Sequence, residues 1–221
     1  LNAHTGDKCW QRSFGESQHL RSTVIYDSDT VVMNADMEGE LIAFDVTTGE
    51  SHWDADISEY FHPNEDALFD AIRGRLIGGD GHIFLHTFGG LLLGLDAATG
   101  ETEWVTPADH PELLTSNGET YAPPELEPIA YSDGVLVVIK SENTERSDTL
   151  HAVDSTTGAE RWRYELDGAA RYDDITIRSA TIAGRRVFVP IMDELHILAL
   201  DDGGLLETYS VGDYAHATAL A

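Results

Sequence analysis

Three regularities predict an all-β chain assembled from repeated four-stranded antiparallel blades. First, a Thr-Gly pair is followed, four residues after the glycine, by tryptophan at Thr5-Gly6…Trp10, Thr48-Gly49…Trp53, Thr99-Gly100…Trp104 and Thr157-Gly158…Trp162, and these are all four tryptophans of the 221 residues. A residue type used once per repeat at a constant offset marks an internally repeated architecture. Second, the copies extend upstream: Leu41 to Gly49, Leu92 to Gly100 and Leu150 to Gly158 align position for position. Third, the tryptophans lie 43, 51 and 58 residues apart. That spacing suits one four-stranded propeller blade per period. Helical repeats of this length need long stretches of 3.6-residue periodicity, and the sequence has none.

Each period supplies its four strands in order. Val24-Ile25-Tyr26 and Thr30 to Met33 flank the turn Asp27-Ser28-Asp29. Leu41 to Asp45 is a mostly apolar run, and Glu50 to Ile57 alternates with Trp53 on one face, so the two read as a hairpin around a Thr/Gly turn. In that turn Asp can accept backbone N–H bonds and Gly can take the positive φ that other residues resist. Later periods repeat the scheme, with Gly78-Gly79-Asp80-Gly81, Ser132-Asp133-Gly134 and Gly184-Arg185 as first-hairpin turns. A fifth, degenerate copy runs from Leu198 to Gly204, with Thr208 where tryptophan is expected. The predicted organisation is a single domain: a partial blade over 1–16, blades over 17–58, 59–107, 108–167 and 168–212, and a partial one over 213–221. One such sheet cannot bury both its faces, so blades must stack. Each Trp then packs between neighbours, and its indole N–H needs an acceptor, most simply a backbone carbonyl.

The pattern Ala-x-Asp-x-x-x-Gly-x-x-x-Trp closely resembles the tryptophan-docking repeat of PQQ-type, quinoprotein-like β-propellers. It is complete at Ala43, Asp45, Gly49, Trp53 and at Ala152, Asp154, Gly158, Trp162; the copy at Asp96, Gly100, Trp104 has Gly94 for alanine, and the first copy retains Gly6 and Trp10. The resemblance implies that the tryptophans dock on adjacent blades and that the Asp residues brace the turns. It also implies a ring of seven or eight blades, of which this chain would be a part. Members of that family divide between quinoprotein alcohol dehydrogenases and non-catalytic propellers: outer-membrane assembly lipoproteins, sensor modules on kinases and surface proteins. The repeat does not choose among them, because a fold does not fix a function.

Composition narrows the choice. The formal net charge is −27, with 40 acidic residues and only Lys8 and Lys140 as lysines. Dispersed charge of this size is tolerated where salt screens it, and the low-lysine composition resembles proteins of salt-loving microbes. It opposes binding to nucleic acid and to anionic membranes. No 18-residue apolar run exists to span a bilayer. An exported, extracytoplasmic or cell-surface location is expected, with any signal or anchor outside this segment.

Few residues suggest chemistry. His82 and His86 share a strand face but stand roughly 13 Å apart at ~3.3 Å per residue, too far to share a zinc ion. Asp27-Ser28-Asp29, Asp54-Ala55-Asp56 and Asp173-Asp174 lack an EF-hand pattern and read as solvated turns. No Gly-x-Ser-x-Gly elbow occurs. By the resemblance, a dehydrogenase would need PQQ, Ca²⁺, adjacent cysteines and a catalytic Asp, whereas Cys9 is the sole cysteine. No cofactor is therefore expected, PQQ and Ca²⁺ belonging only to the alternative that the chain is part of a dehydrogenase; a second alternative is a sensor module of a larger receptor or kinase. The expected role is a non-catalytic scaffold that binds a protein or other ligand through loops or an axial face. The proline-rich insertion 107–128, with Asn117 and Tyr121, is the first candidate binding loop, and Tyr60 and Phe61, expected to be exposed after a blade, are the second.

Overall fold

A computed structural model of the chain describes residues 4–12, 23–25, 29–34, 39–61, 72–87, 89–107, 114–116, 119–121, 125–141, 148–165, 179–191 and 193–210. Four four-stranded antiparallel sheets follow one another: β1(Thr23–Ile25) to β4(Ser51–Asp56) through β2(Thr30–Asn34) and β3(Glu40–Asp45); β5(Ile72–Gly79) to β8(Thr102–Thr106) through β6(His82–Thr87) and β7(Leu92–Asp96); β11(Glu125–Ser132) to β14(Glu160–Glu165) through β12(Val135–Ser141) and β13(Asp148–Asp154); and β15(Thr181–Ala183) to β18(Leu205–Ser210) through β16(Arg186–Ile191) and β17(Glu194–Ala199). Within each sheet the strands lie in sequence order. This is a β-propeller architecture, and the first strands of successive blades, β1, β5, β11 and β15, neighbour one another.

The cores lie between blades. Val32, Leu41 and Ala43 pack with Ile83, Leu85, Leu93 and Leu95 of the second blade. Phe84, Leu92 and Trp104 pack with Leu136, Val138 and Val153 of the third. Val137, Leu150, Ala152 and Trp162 pack with Val187, Val189 and Leu198 of the fourth. Alternate residues of one strand thus serve two different seams, which is why the middle strands are largely apolar: β7 is buried along Leu92, Leu93, Gly94 and Leu95.

Three elements differ from their sequence expectations. The first-hairpin turn of the second blade is only Asp80-Gly81, because β5 runs on through Gly78 and Gly79. Gly79 pairs with His82 in the ladder, and that position needs glycine because the Tyr131 ring lies on it: a Cβ there would fall 2.2 Å from Tyr131 Cδ1. The insertion is not wholly irregular, since β9(Leu114–Ser116) pairs with β10(Glu119–Tyr121) and β11 begins at Glu125. Pro128 is inside β11, beside a register shift between Pro128 and Ala130, as expected where a ladder N–H is missing.

The degenerate fifth copy also differs. Its motif glycine is Gly203, at φ 70°, and its N–H donates to the Ala199 carbonyl as the Gly49 N–H does to that of Asp45. Ala199 therefore stands where the other copies have Asp. Glu207 pairs with Ile197 as Trp162 pairs with Ala152, so Glu207, not Thr208, occupies the tryptophan position.

Candidate functional site: the blade seams and the loop-bearing end

Each indole N–H donates to a carbonyl in the next blade's turn: Trp10 to Val46 (2.7 Å), Trp53 to Ala97 (3.0 Å), Trp104 to Ser155 (2.8 Å) and Trp162 to Leu200 (2.8 Å). The acceptors are equivalent positions, each three residues before the motif glycine. The same rings lie on those glycines. A Cβ would fall 2.6 Å from Trp10 at Gly49, 2.6 Å from Trp53 at Gly100, 2.5 Å from Trp104 at Gly158 and 2.6 Å from Trp162 at Gly203. Each of these glycines has a positive φ of 69–78°. Glycine is thus required twice, by the left-handed backbone and by the ring above it. Gly6 has the same conformation, with nothing within 4 Å of its Cβ position.

The turns beneath the rings are braced by their own side chains. Asp45 Oδ1 accepts the amides of Thr47 (2.9 Å) and Thr48 (2.6 Å). Asp96 Oδ1 accepts those of Ala98 and Thr99 and the Thr99 hydroxyl. Asp154 accepts the Thr156 amide and hydroxyl and the Thr157 hydroxyl, and pairs with the Arg161 guanidinium at 2.6 Å. The Thr156 and Arg161 bonds hold the Asp154 carboxyl far below the usual carboxylate range. The Thr48 bonds lower that of Asp45 in the same way. A second brace, with no counterpart in the motif, joins the two turns at this end of each blade: the amides of Val46, Ala97, Ser155 and Leu200 donate to the carbonyls of Asp29, Gly81, Gly134 and Arg185.

The residue opposite each tryptophan is matched in volume to its surroundings. Val32, Ala43 and Trp53 stand in register in the first blade, and Val137, Ala152 and Trp162 in the third. In the second, Phe84 replaces valine and Gly94 replaces alanine. The Phe84 and Trp104 rings are 6.0 Å apart, and a Cβ on Gly94 would fall 2.2 Å from Trp104 Cε2. In the fourth, where Glu207 replaces the indole, Ile197 fills the small-residue position. Gly94 is therefore half of a volume exchange with Phe84, not a decayed alanine.

Further seam contacts had no sequence signal. Tyr131 donates to Asp80 Oδ2 (2.7 Å) across the second seam, and burial and that carboxylate both raise its phenol pKa. The Tyr164 hydroxyl meets His196 Nδ1 at 3.0 Å across the third, and His196 Nε2 meets Glu194 at 3.0 Å.

The candidate binding residues lie at the other end. In an up-and-down sheet, first-to-second and third-to-fourth turns share one end; the crossings between blades leave from the opposite one. The connections 57–71 and 107–124 are such crossings. Tyr121 is the last residue of β10, paired with Leu114, and Asn117 lies outside the described residues. Tyr60 and Phe61 are not free aromatics: both are partly buried and pack on the core between the first two blades. Phe61 fits beneath Gly39, whose added Cβ would fall 2.9 Å from Phe61 Cζ.

The histidines are dispersed. His82 reaches Glu103 (3.0 Å) and the Asp80 carbonyl, His151 reaches Glu160 (2.8 Å) and Thr149, and His86 is buried. Among the described residues no three His, Cys, Asp or Glu side chains are grouped to hold a metal ion. All four indoles are committed to seams, and Cys9 is an exposed thiol whose Sγ lies 3.9 Å from the Asp7 carbonyl.

Radially stacked blades, locked by an indole on a glycine turn, define a PQQ-type propeller. The chain belongs to the family described as outer membrane protein assembly factor BamB, whose profile matches residues 1–123 and 115–213. The outer membrane protein assembly factor BamB of Yersinia pestis is 26% identical over 177 residues, which is 76% of this chain and 39% of that protein. Among solved structures, BamB from Moraxella catarrhalis matches with a TM-score of 0.57 at 17% identity, over 86% of this chain and 53% of that one. The quinohemoprotein alcohol dehydrogenase ADHIIG from Pseudomonas putida HK5 matches with a TM-score of 0.59 at 16% identity, over 92% and 36%. At these identities the structural likenesses speak to the fold alone. The chain spans about two fifths of the curated relative it matches and about half of the BamB structure.

Proposed function

We propose that the chain is a non-catalytic scaffold that holds a protein partner at the loop-bearing end of its blades, outside the cytoplasm. The observation that carries this reading is the asymmetry of the two ends. The turn end is closed by repeated side-chain and backbone braces, while the three long crossings between blades, 57–71, 107–124 and 166–180, leave from the other. Rigid blades that fix such loops in space reduce the ordering cost of binding. Membership in a family named for outer membrane protein assembly favours a polypeptide partner over a small substrate. The acidic, lysine-poor surface fits work in concentrated salt.

The test uses the full-length polypeptide that carries this chain and a labelled, urea-denatured outer-membrane β-barrel protein diluted into buffer, read by fluorescence anisotropy. Replacing residues 108–123 by a short Gly-Ser linker should weaken binding at least tenfold, and Thr48→Ala at the turn end should leave it unchanged. Equal binding by the linker variant would reject the loop end as the site. Uptake of PQQ with Ca²⁺, seen as a bound chromophore with dye-linked alcohol oxidation, would reject the non-catalytic reading.

A further inference from the structure

Asn34 is the last residue of β2 and is 1% exposed. It alternates with Val32 and stands in register with Leu41 and Ala55, so its side chain lies on the face that the second blade covers. Among the described residues neither its Nδ2 nor its Oδ1 has a hydrogen-bond partner. The fold does not require a polar side chain there. In the third blade Ile139 holds the equivalent place, in register with Leu150, and is packed into the core at 2% exposure. A buried carboxamide with both ends unbonded is costly, and an apolar residue at the same place removes that cost.

One row beyond, toward the loop-bearing end, the same face is covered by Phe61, whose ring rests on Gly39. Phe61 follows a single 3-10 turn, Ser58–Tyr60, none of whose residues is buried. Among the described residues the amides of Ser58, Tyr60 and Phe61 bond only to Asp56, Ile57 and Ser58. Beyond Ile57, whose N–H donates to the Gly39 carbonyl, this strap therefore holds the blade through the Tyr60 and Phe61 rings. We propose that this place is a polypeptide-binding seat: an aromatic side chain of the partner displaces Phe61 from Gly39, and the adjoining peptide group pairs with Asn34, Nδ2 donating to its carbonyl and Oδ1 accepting its N–H. A carboxamide carries a donor and an acceptor side by side, as a peptide group does, so the two are complementary. The pairing reads backbone and one ring, and so does not depend on the partner's sequence. Phe61 is the internal occupant that shuts the seat, and it lowers the apparent affinity by the fraction of molecules that are open. Resting on the polypeptide-holding role proposed above, the seat supplies its point of contact and its chemistry.

The test uses the full-length polypeptide that carries this chain and the same labelled, urea-denatured β-barrel protein. Asn34→Leu should weaken binding about tenfold, while its thermal midpoint stays within about two degrees of the parent's or rises. Phe61→Ala should tighten binding about threefold or more although its midpoint falls, because the seat loses its internal competitor. A purely structural Asn34 or Phe61 would move the midpoint alone. Parental binding by Asn34→Leu overturns the seat, and so does parental or weaker binding by Phe61→Ala. An Asn34→Leu midpoint lowered by more than about two degrees also overturns it, since an internal water would then be what holds the carboxamide. If replacing residues 108–123 abolishes binding while Asn34→Leu binds as the parent does, the loop-end reading stands and the seat alone falls. Parental binding by both variants removes both.

Discussion

At the scale of single residues the structure assigns different costs to changes that look alike in the sequence. Gly158 and Gly184 both have positive φ, at 69° and 55°. A methyl on Gly158 meets Trp104 at 2.5 Å, while one on Gly184 meets nothing within 4 Å. Gly184→Ala should therefore cost only the left-handed strain of about 1 kcal/mol. Gly158→Ala should cost about 3 kcal/mol, because the ring must move as well. Urea unfolding of the two variants measures the difference. Gly94→Ala restores the residue that the repeat pattern prefers, yet it should destabilise by about 1–3 kcal/mol, because the methyl enters the Trp104 ring. Adding Phe84→Val should recover part of that loss, and the non-additivity of the double variant is the readout.

In the first and third blades the turn joining the third and fourth strands is where pH acts. The Asp154 carboxyl titrates well below its unfolded value because Thr156 and Arg161 bind the charged form. A depressed folded pKa stabilises the protein above the unfolded pKa, near 3.9, and that contribution fades as pH falls through the folded value. Asp154→Asn should therefore lower the thermal midpoint at pH 7, and the gap from the parent should narrow progressively below about pH 4. Thermal scans across pH 2.5–7 test this. A constant gap would show that the carboxylate acts by shape alone. The fourth blade has Ala199 in place of this Asp, and its Arg185–Asp201 pair lies between two exposed side chains. Ala199 has no carboxylate to titrate, so Ala199→Ser should show no comparable narrowing.

Across the whole molecule, charge outweighs any single surface contact. A formal −27 spread over the blades is a self-repulsion that mobile ions screen. The thermal midpoint should rise by roughly ten degrees or more between 0.1 and 2 M KCl, a response far beyond that of an exposed ion pair worth about 1 kcal/mol or less. Thermal unfolding followed by circular dichroism at several salt concentrations decides it. A midpoint independent of salt would remove the basis for reading this surface as adapted to brine.

Much of this was legible in sequence because the repeat is chemically strict. One tryptophan, one positive-φ glycine and one turn-bracing aspartate per period are enough to specify the hairpin, the period and hence the blade. Local chemistry sets all three, since a turn needs its glycine and its carboxylate whatever surrounds it. Only the tertiary structure decided which carbonyl each indole meets, why Gly94 accompanies Phe84, that Gly203 rather than Gly204 is the fourth receiving glycine, and that Phe61 fits beneath Gly39. Those depend on contacts between positions far apart in the chain, where side-chain volume and facing direction are settled by the neighbouring blade rather than by the residue's own sequence surroundings.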